Sequence, residues 1–103
     1  MTLARSVQGK LDAGQMIIID GGTGTEIERR GVPVDPYLAW SAEANIIAPD
    51  LIRDIHEDYI LAGAEIIITN TFSTSRATLA TAGLAGQTEE INKQSVILAR
   101  DAR

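Results

Sequence analysis

The sequence predicts an α/β fold built on parallel strands, and two observations support this prediction. Residues 16–19 and 64–69 form continuous rather than alternating apolar runs, which are typical of strands buried on both faces of a parallel sheet. The segments between and after these runs have the periodicity and the terminal residues of helices. Parallel strands joined through a helix form a right-handed βαβ unit, with helices covering the sheet.

The first part of the chain is expected to contribute a helix, a strand and a short second helix. Apolar residues at every fourth position predict an amphipathic helix over the first dozen residues: Leu3, Val7 and Leu11. This helix should end near Gly14, before the strand of residues 16–19. Residues 25–30 could then form one or two helical turns, which the proline-containing segment 31–36 interrupts.

The first long helix is predicted at residues 49–62. Pro49 suits a first helical position, Asp50 adds an acidic group to the first turn, and Gly63 follows the last turn. The apolar residues of this helix cover about a third of its circumference. They are Ala48, Leu51, Ile52, Ile55, Tyr59 and Ala62. His56 lies at the flank of this stripe and is expected to be a surface or partly packed histidine rather than a metal ligand.

The second part repeats the pattern. After the strand of residues 64–69, a short helix is expected at residues 75–82, closed by Gly83 and Gly86. Thr88 is a candidate N-cap for the final helix, which has two acidic residues in its first turn. The expected inner face of that helix consists of Ile91, Ser95, Leu98 and Ala102.

These elements divide the chain into a lead-in helix at residues 1–14, a first βα unit at residues 15–63 and a second at residues 64–103. Two strands cannot cover both faces of each other, because isolated two-stranded sheets are marginally stable in water. We therefore expect residues 1–103 to be the opening part of a larger α/β domain. Its open sheet edges could pair with another copy or another chain.

Composition restricts the classes of partner and site. The formal charge of −5, with acids and bases interspersed, argues against nucleic acid or an anionic membrane as a partner. No apolar run has the length of a signal peptide or a membrane span, so we expect a cytoplasmic protein. The sequence contains no cysteine, which excludes disulfides, thiolate metal ligands and a cysteine nucleophile built from this chain.

The first strand ends at Asp20, and three glycines follow within four positions. A phosphate-binding P-loop would need a lysine that DGGTGTEIE lacks. A dinucleotide fingerprint would need a glycine where Ile27 stands and a long helix, which Pro33 would cut short. A plain turn remains an alternative, since Asp caps turns and Gly readily adopts positive φ angles.

The second strand also ends on polar residues, Asn70 and Thr71. Carboxyl ends of neighbouring parallel strands meet at one rim, where (β/α)₈ barrels assemble their active sites. A carboxylate beside free backbone N–H groups can hold both ends of an amino acid: Asp20 would bind the ammonium, and the glycine turn would bind the carboxylate. Asn70 would add a donor and an acceptor. These features favour a ligand site over a plain turn.

Two segments of the sequence carry a recognisable combination of motifs, in this order: DGGTGTEIERRG and AWSAEANIIAPDLIRDIHEDYILAGAEIIITNTFSTSR. Together they resemble the N-terminal portion of the homocysteine S-methyltransferase family. Betaine–homocysteine methyltransferase and the homocysteine module of cobalamin-dependent methionine synthase are relatives within it. The resemblance runs from about residue 11 to residue 103. It implies that the chain contains the first two βα units of a homocysteine-binding (β/α)₈ TIM barrel and is incomplete as a barrel.

The resemblance also implies methyl transfer from a small methyl donor to the thiolate of homocysteine, giving methionine. In the full-length family Zn²⁺ stabilises that thiolate, held by three cysteines in downstream Gly-x-Asn-Cys and Gly-Gly-Cys-Cys segments. Because this chain has no cysteine, we expect it to bind no metal, to be inactive by itself and to supply only substrate-binding residues. The alternatives are an inert or self-associating α/β module, and an unrelated α/β barrel enzyme that acts on a small carboxylate.

By position, the resemblance assigns substrate binding to Asp20, Gly21, Gly22, Trp40, Asn70, Thr71 and Phe72. The first three would bind the amino-acid end of homocysteine, and the last three would line the same pocket. Trp40 would match the aromatic residue that faces the cationic methyl donor in betaine-using relatives, because a ring face suits an ammonium or sulfonium group. Packing before the first long helix is the alternative role for Trp40.

Overall fold

The computed structural model describes residues 3–35 and 39–103, where the regular structure is helical. The helices are α1 (Leu3–Asp12), α2 (Thr23–Arg29), α3 (Ala44–Ile47), α4 (Pro49–Leu61), α5 (Arg76–Ala80) and α6 (Thr88–Ala102), with a 3₁₀ turn at Ala85–Gln87. Residues 1–2 of the predicted lead-in helix and Pro36 of the predicted helix break lie outside the described residues. No helix in the described ranges is long and apolar enough to cross a membrane. The cytoplasmic location stays a prediction.

The two predicted strands meet at a single parallel bridge between Ile19 and Ile66. The Asp20 N–H donates to the Ile66 carbonyl over 3.0 Å, and the Glu65 N–H donates to the Ile18 carbonyl over 2.7 Å. The parallel direction of the pairing agrees with the prediction. Complete strands, and with them two complete βα units, are not formed among the residues that the structure describes.

The expectation that these runs are buried on both faces is wrong for this chain. Met16 is 87% exposed, and the side chains of Ile18 and Ile68 are each more than half exposed. A strand becomes buried on both faces only when it has neighbouring strands on both sides and helices over both surfaces. Two segments that pair at one point cannot supply this cover.

Helix α4 follows the prediction closely, because its end signals are local. It begins at Pro49, and after its last turn Gly63 adopts a φ of 113°, which favours glycine. The Gly63 N–H donates to the Ile60 carbonyl and the Ala64 N–H to the Tyr59 carbonyl, both over 3.0 Å. This paired arrangement satisfies carbonyl groups that a helix end otherwise leaves free.

The core consists of two clusters between the helices. One contains Ile27, Ala44, Ile52, Ile55 and Leu98. The other contains Ala39, Ala42, Leu79 and Ile91. Helix α4 packs against α2, α3 and α6, so that it is the central helix of the described residues. The predicted inner face of α6 is confirmed at three of its positions, Ile91, Ser95 and Leu98, which are buried.

Two predictions about the shorter elements are wrong. Thr88 is the first residue of α6 rather than its cap, because the preceding 3₁₀ turn places its hydroxyl against the Ala85 carbonyl, to which it donates over 2.7 Å. Helix α5 ends at Ala80 rather than at residue 82. Helix α3 was not predicted, since four residues are too few to show a helical period.

Candidate functional site

An open cavity of about 430 Å³ lies where the two paired segments end. Its wall consists of residues 21–25, Trp40 with Ser41, and residues 68–72. The predicted site residues in this wall are Gly21, Gly22, Trp40, Asn70, Thr71 and Phe72. The structure therefore brings together three segments that are far apart in sequence, and it places the glycine turn opposite the end of the second segment.

Asp20 does not itself line the cavity, but in the chain it directly precedes Gly21, the first residue of the cavity wall. Two hydrogen bonds of Asp20 join the two paired segments. Its Oδ2 accepts a hydrogen bond from the Ile68 N–H over 2.9 Å. Its own N–H donates to the Ile66 carbonyl over 3.0 Å. The residue is partly exposed, and a carboxylate has lone pairs enough to accept further hydrogen bonds at Oδ1. Asp20 is thus a fixed carboxylate held between two residues that line the cavity, Gly21, which follows it in the chain, and Ile68, to which it is hydrogen-bonded.

The glycines of this turn permit close approach rather than an unusual backbone angle. Gly21 and Gly24 are not among the glycines with positive φ in the described residues. A Cβ at Gly21 would lie 3.0 Å from Tyr59 Oη, and one at Gly24 would lie 3.3 Å from Ser41 Oγ and from the Trp40 ring. The missing side chains therefore let the turn lie against α4 on one side and against the Trp40 segment on the other.

Asn70 is the centre of a buried hydrogen-bond network. The residue is 5% exposed, and its Nδ2 donates to the Ser41 carbonyl over 3.0 Å while its Oδ1 accepts from Ser41 Oγ over 3.2 Å. Nδ2 also donates to Asn45 Oδ1 over 3.3 Å, and Asn45 Nδ2 donates to the Asn70 carbonyl over 2.9 Å. The Asn70 amide therefore ties the segment that carries Trp40 to the end of the second apolar run.

Two aromatic rings form the outer wall of the cavity. Trp40 and Phe72 meet edge to face, with ring centroids 6.1 Å apart and an interplanar angle of 87°. Phe72 is 91% exposed, and Trp40 adopts a φ of 45°, which is rare outside glycine. The Asn70 network supports this rare conformation, and the rings can contact an apolar or cationic part of a ligand.

His56 differs from the prediction. Its side chain is 0% exposed, and neither ring nitrogen has a hydrogen-bond partner. The flank of α4 is buried because α2, α3 and α6 all pack against this helix, so the buried surface is wider than the apolar stripe. Burial lowers the pKa of the His56 imidazole, and the Asp20 carboxylate partly opposes this effect.

The residues present do not fit the zinc site that the resemblance implies. Among the described residues there is no group of three or more histidine, cysteine, aspartate or glutamate side chains that could hold a metal ion. The sequence contains no cysteine.

Comparison with known proteins agrees with the resemblance. The family model for homocysteine S-methyltransferase matches residues 17–103. The chain is 36% identical to homocysteine S-methyltransferase of Escherichia coli K12 over 104 residues, which cover 100% of this chain and 33% of the relative. It is 38% identical to homocysteine S-methyltransferase 4 of Zea mays over 93 residues, covering 89% of this chain and 27% of the relative.

The structure is also similar to a crystal structure of the metallated form of the homocysteine methyltransferase MmuM from Escherichia coli. The TM-score is 0.82 at 37% identity, over 99% of this chain and 34% of that chain. The fold is therefore that of part of a TIM-barrel enzyme. The chain belongs to the homocysteine S-methyltransferase family, and it spans about a third of the length of the curated relatives that it matches. This match excludes the alternative of an unrelated α/β barrel enzyme.

Proposed function

We propose that this chain supplies the homocysteine-binding part of a homocysteine S-methyltransferase, which transfers a methyl group from a small donor to the homocysteine thiolate. In this proposal residues 15–63 and 64–103 correspond to the first two βα units of the barrel, after a lead-in helix at residues 1–14. The observation that supports it most is the cavity at the joint end of the two paired segments, with the Asp20 carboxylate hydrogen-bonded to Ile68 of its wall.

Each group of wall residues has a role in the proposal. The Asp20 carboxylate accepts a hydrogen bond from the substrate ammonium group, and the N–H groups of Gly21 and Gly22 bind the substrate carboxylate. Residues 70–72 line the pocket, with the Asn70 amide engaged in the wall rather than with the ligand. Trp40 offers its ring to the cationic methyl donor. The ligands of any zinc ion would come from other segments of a longer enzyme.

Titration of the ¹⁵N-labelled chain with L-homocysteine, followed by NMR, tests the binding role. The matched ligand is 4-mercaptobutanoate, which has the same thiol and carboxylate but no ammonium group. We expect L-homocysteine to shift the amide signals of residues 20–22 and 70–72 together. The des-amino ligand should bind about tenfold more weakly, because a hydrogen bond to a charged group contributes about 1.5–3 kcal/mol.

Asp20→Asn is the matching variant, because the amide oxygen can still accept the hydrogen bond from the Ile68 N–H while the charge is removed. In this variant the two ligands should bind with nearly equal affinity. A wild-type chain whose signals homocysteine leaves unchanged would contradict the proposal. An Asp20→Asn chain that still prefers homocysteine over its des-amino analogue would show that another group binds the ammonium.

A second candidate function, self-association, is favoured by the exposed apolar surface. Met16, Ile18, Ile19 and Ile68 are large apolar side chains that are each more than half exposed. Contiguous apolar surface and an open sheet edge are features that pair with other chains. If this candidate is right, light scattering after gel filtration should give a dimer or larger species, and Ile18→Lys should yield a monomer. A wild-type monomer would contradict it.

A further inference from the structure

The glycine turn beside the cavity rests on the side chain of Tyr59, which comes from α4. Tyr59 Oη donates a hydrogen bond to the Gly22 carbonyl over 3.0 Å. A Cβ at Gly21 would lie 3.0 Å from Tyr59 Oη and 3.3 Å from its Cε1, so the ring lies directly against the turn. The ring also packs against the buried cluster that contains Ile52 and Ile55. One end of Tyr59 is therefore anchored in the core, and the other contacts the site.

The hydrogen bond sets the orientation of the peptide unit between Gly22 and Thr23. In a trans peptide the C=O and N–H groups point in opposite directions. Because the Gly22 carbonyl is directed at Tyr59, the Thr23 N–H is directed away from α4. Gly22 and Thr23 both line the cavity. Consecutive glycines have many backbone conformations available, so the bond selects one orientation among several.

We infer that Tyr59 is a positioning residue of this site, holding the Gly22–Thr23 peptide so that the Thr23 N–H joins those of Gly21 and Gly22 in binding the carboxylate of an amino acid. The inference rests on the proposed function and deepens it. The sequence indicated Tyr59 only as part of the apolar stripe of α4, a role that the ring alone fulfils. The hydroxyl group is not needed for that packing, and it donates its hydrogen bond to the turn.

Tyr59→Phe tests this role, because it keeps the ring in the core and removes only the hydroxyl group. We expect amide hydrogen exchange at residues 21–23 to become faster, while the melting temperature changes by only a few degrees. The dissociation constant for L-homocysteine should rise about fivefold, the loss expected for one hydrogen bond. The control is Thr88→Val, which removes a hydroxyl group that donates to the Ala85 carbonyl over 2.7 Å, away from the cavity.

Gly21→Ala approaches the same contact from the turn and leaves the core unchanged. Its added methyl group, 3.0 Å from Tyr59 Oη, requires the hydroxyl group to move by a few tenths of an ångström. We expect the same local increase in exchange as in Tyr59→Phe. This variant decides the question if Tyr59→Phe fails to fold.

The outcomes separate this inference from the proposed function. If the wild-type chain binds homocysteine and Tyr59→Phe binds it with equal affinity, the positioning role is overturned. Equal losses of homocysteine affinity in Tyr59→Phe and Thr88→Val would also overturn it, because a hydroxyl group far from the cavity would then matter as much as that of Tyr59. If the wild-type chain binds no homocysteine, the proposed function fails. Exchange at residues 21–23 then decides the inference: faster exchange than in Thr88→Val supports the role of Tyr59 in holding the turn, and equal exchange overturns it.

Discussion

Replacing Asn70 by alanine should lower the free energy of unfolding by about 2–4 kcal/mol. The side chain makes three buried hydrogen bonds: with the Ser41 carbonyl, with Ser41 Oγ and with Asn45 Oδ1. Each such bond contributes about 1 kcal/mol net, and a buried partner left without a hydrogen bond adds a desolvation cost of about 1–3 kcal/mol. Because the Ser41 hydroxyl group can rotate towards another acceptor after the change, the expected loss lies in the lower part of the combined range.

Urea unfolding followed by circular dichroism measures this loss, and Trp40 reports on the site, since it is the only tryptophan in the sequence. The matched control is Asn92→Ala. Asn92 Nδ2 donates to the Thr74 and Thr88 carbonyls over 2.9 and 2.8 Å, and its Oδ1 accepts from Thr74 Oγ1 over 2.6 Å. Both variants should lose stability, but only Asn70→Ala should change the Trp40 emission of the folded chain.

A stability loss below about 1 kcal/mol in Asn70→Ala would refute this reasoning, because one ordinary hydrogen bond would account for it. Unchanged Trp40 emission would refute the connection between the Asn70 network and the cavity wall. The double variant with Ser41→Ala adds an independent check. The two losses should be less than additive, by about 0.5–1.5 kcal/mol, since both changes remove the same hydrogen bond between Ser41 Oγ and Asn70 Oδ1.

Three further predictions concern pH and the glycine turn. From about pH 7.5 to 5.5 the free energy of unfolding, measured with urea, should fall by at most about 1.4 kcal/mol per pH unit, because burial lowers the pKa of His56 and the unfolded chain takes up more protons. In His56→Leu this fall should be smaller. Arg29 and Arg30 lower the pKa of Glu26 to about 2. The stability that this carboxylate contributes should therefore be lost as the pH falls below its ordinary pKa. Glu26→Gln should lose less stability over the same pH range. Gly24→Ala, whose Cβ would lie 3.3 Å from the Trp40 ring, should change the fluorescence of that ring; its urea midpoint should change little, because better helix propensity offsets the crowding by up to about 1 kcal/mol. Unchanged emission would contradict this prediction, because it would show that the added methyl group does not alter the surroundings of the Trp40 ring.

The sequence predicted best those elements whose signals are local. Pro49 and Gly63 mark the ends of α4 through backbone constraints that do not depend on the rest of the fold. The strands were predicted less well, because burial of Ile18 and its neighbours depends on partners that the apolar run itself does not specify. His56 was misplaced for the same reason, since three helices together cover the flank of α4.

The candidate site was predicted in outline, because parallel pairing places the two polar segment ends at one rim. The roles of Ser41 and Asn45 were missed. Their hydrogen-bond partner, Asn70, is 29 and 25 positions away in the sequence, and contacts over such separations leave no periodic signal. The hydroxyl group of Tyr59 was missed because an aromatic residue in an apolar stripe indicates packing. Ser41 and Asn45, which follow Trp40 closely in the sequence, were the available hints that this wall needed polar support.

The most direct measurement is the KM for homocysteine of a chimeric enzyme in which this chain replaces the matching third of Escherichia coli homocysteine S-methyltransferase. We expect the chimera to form methionine. In it, Asp20→Asn should raise the KM for homocysteine about tenfold or more, with the zinc content unchanged, because the ammonium group loses its charged partner. An unchanged KM, or a loss of zinc in that variant, would contradict the assignment of Asp20 to the substrate.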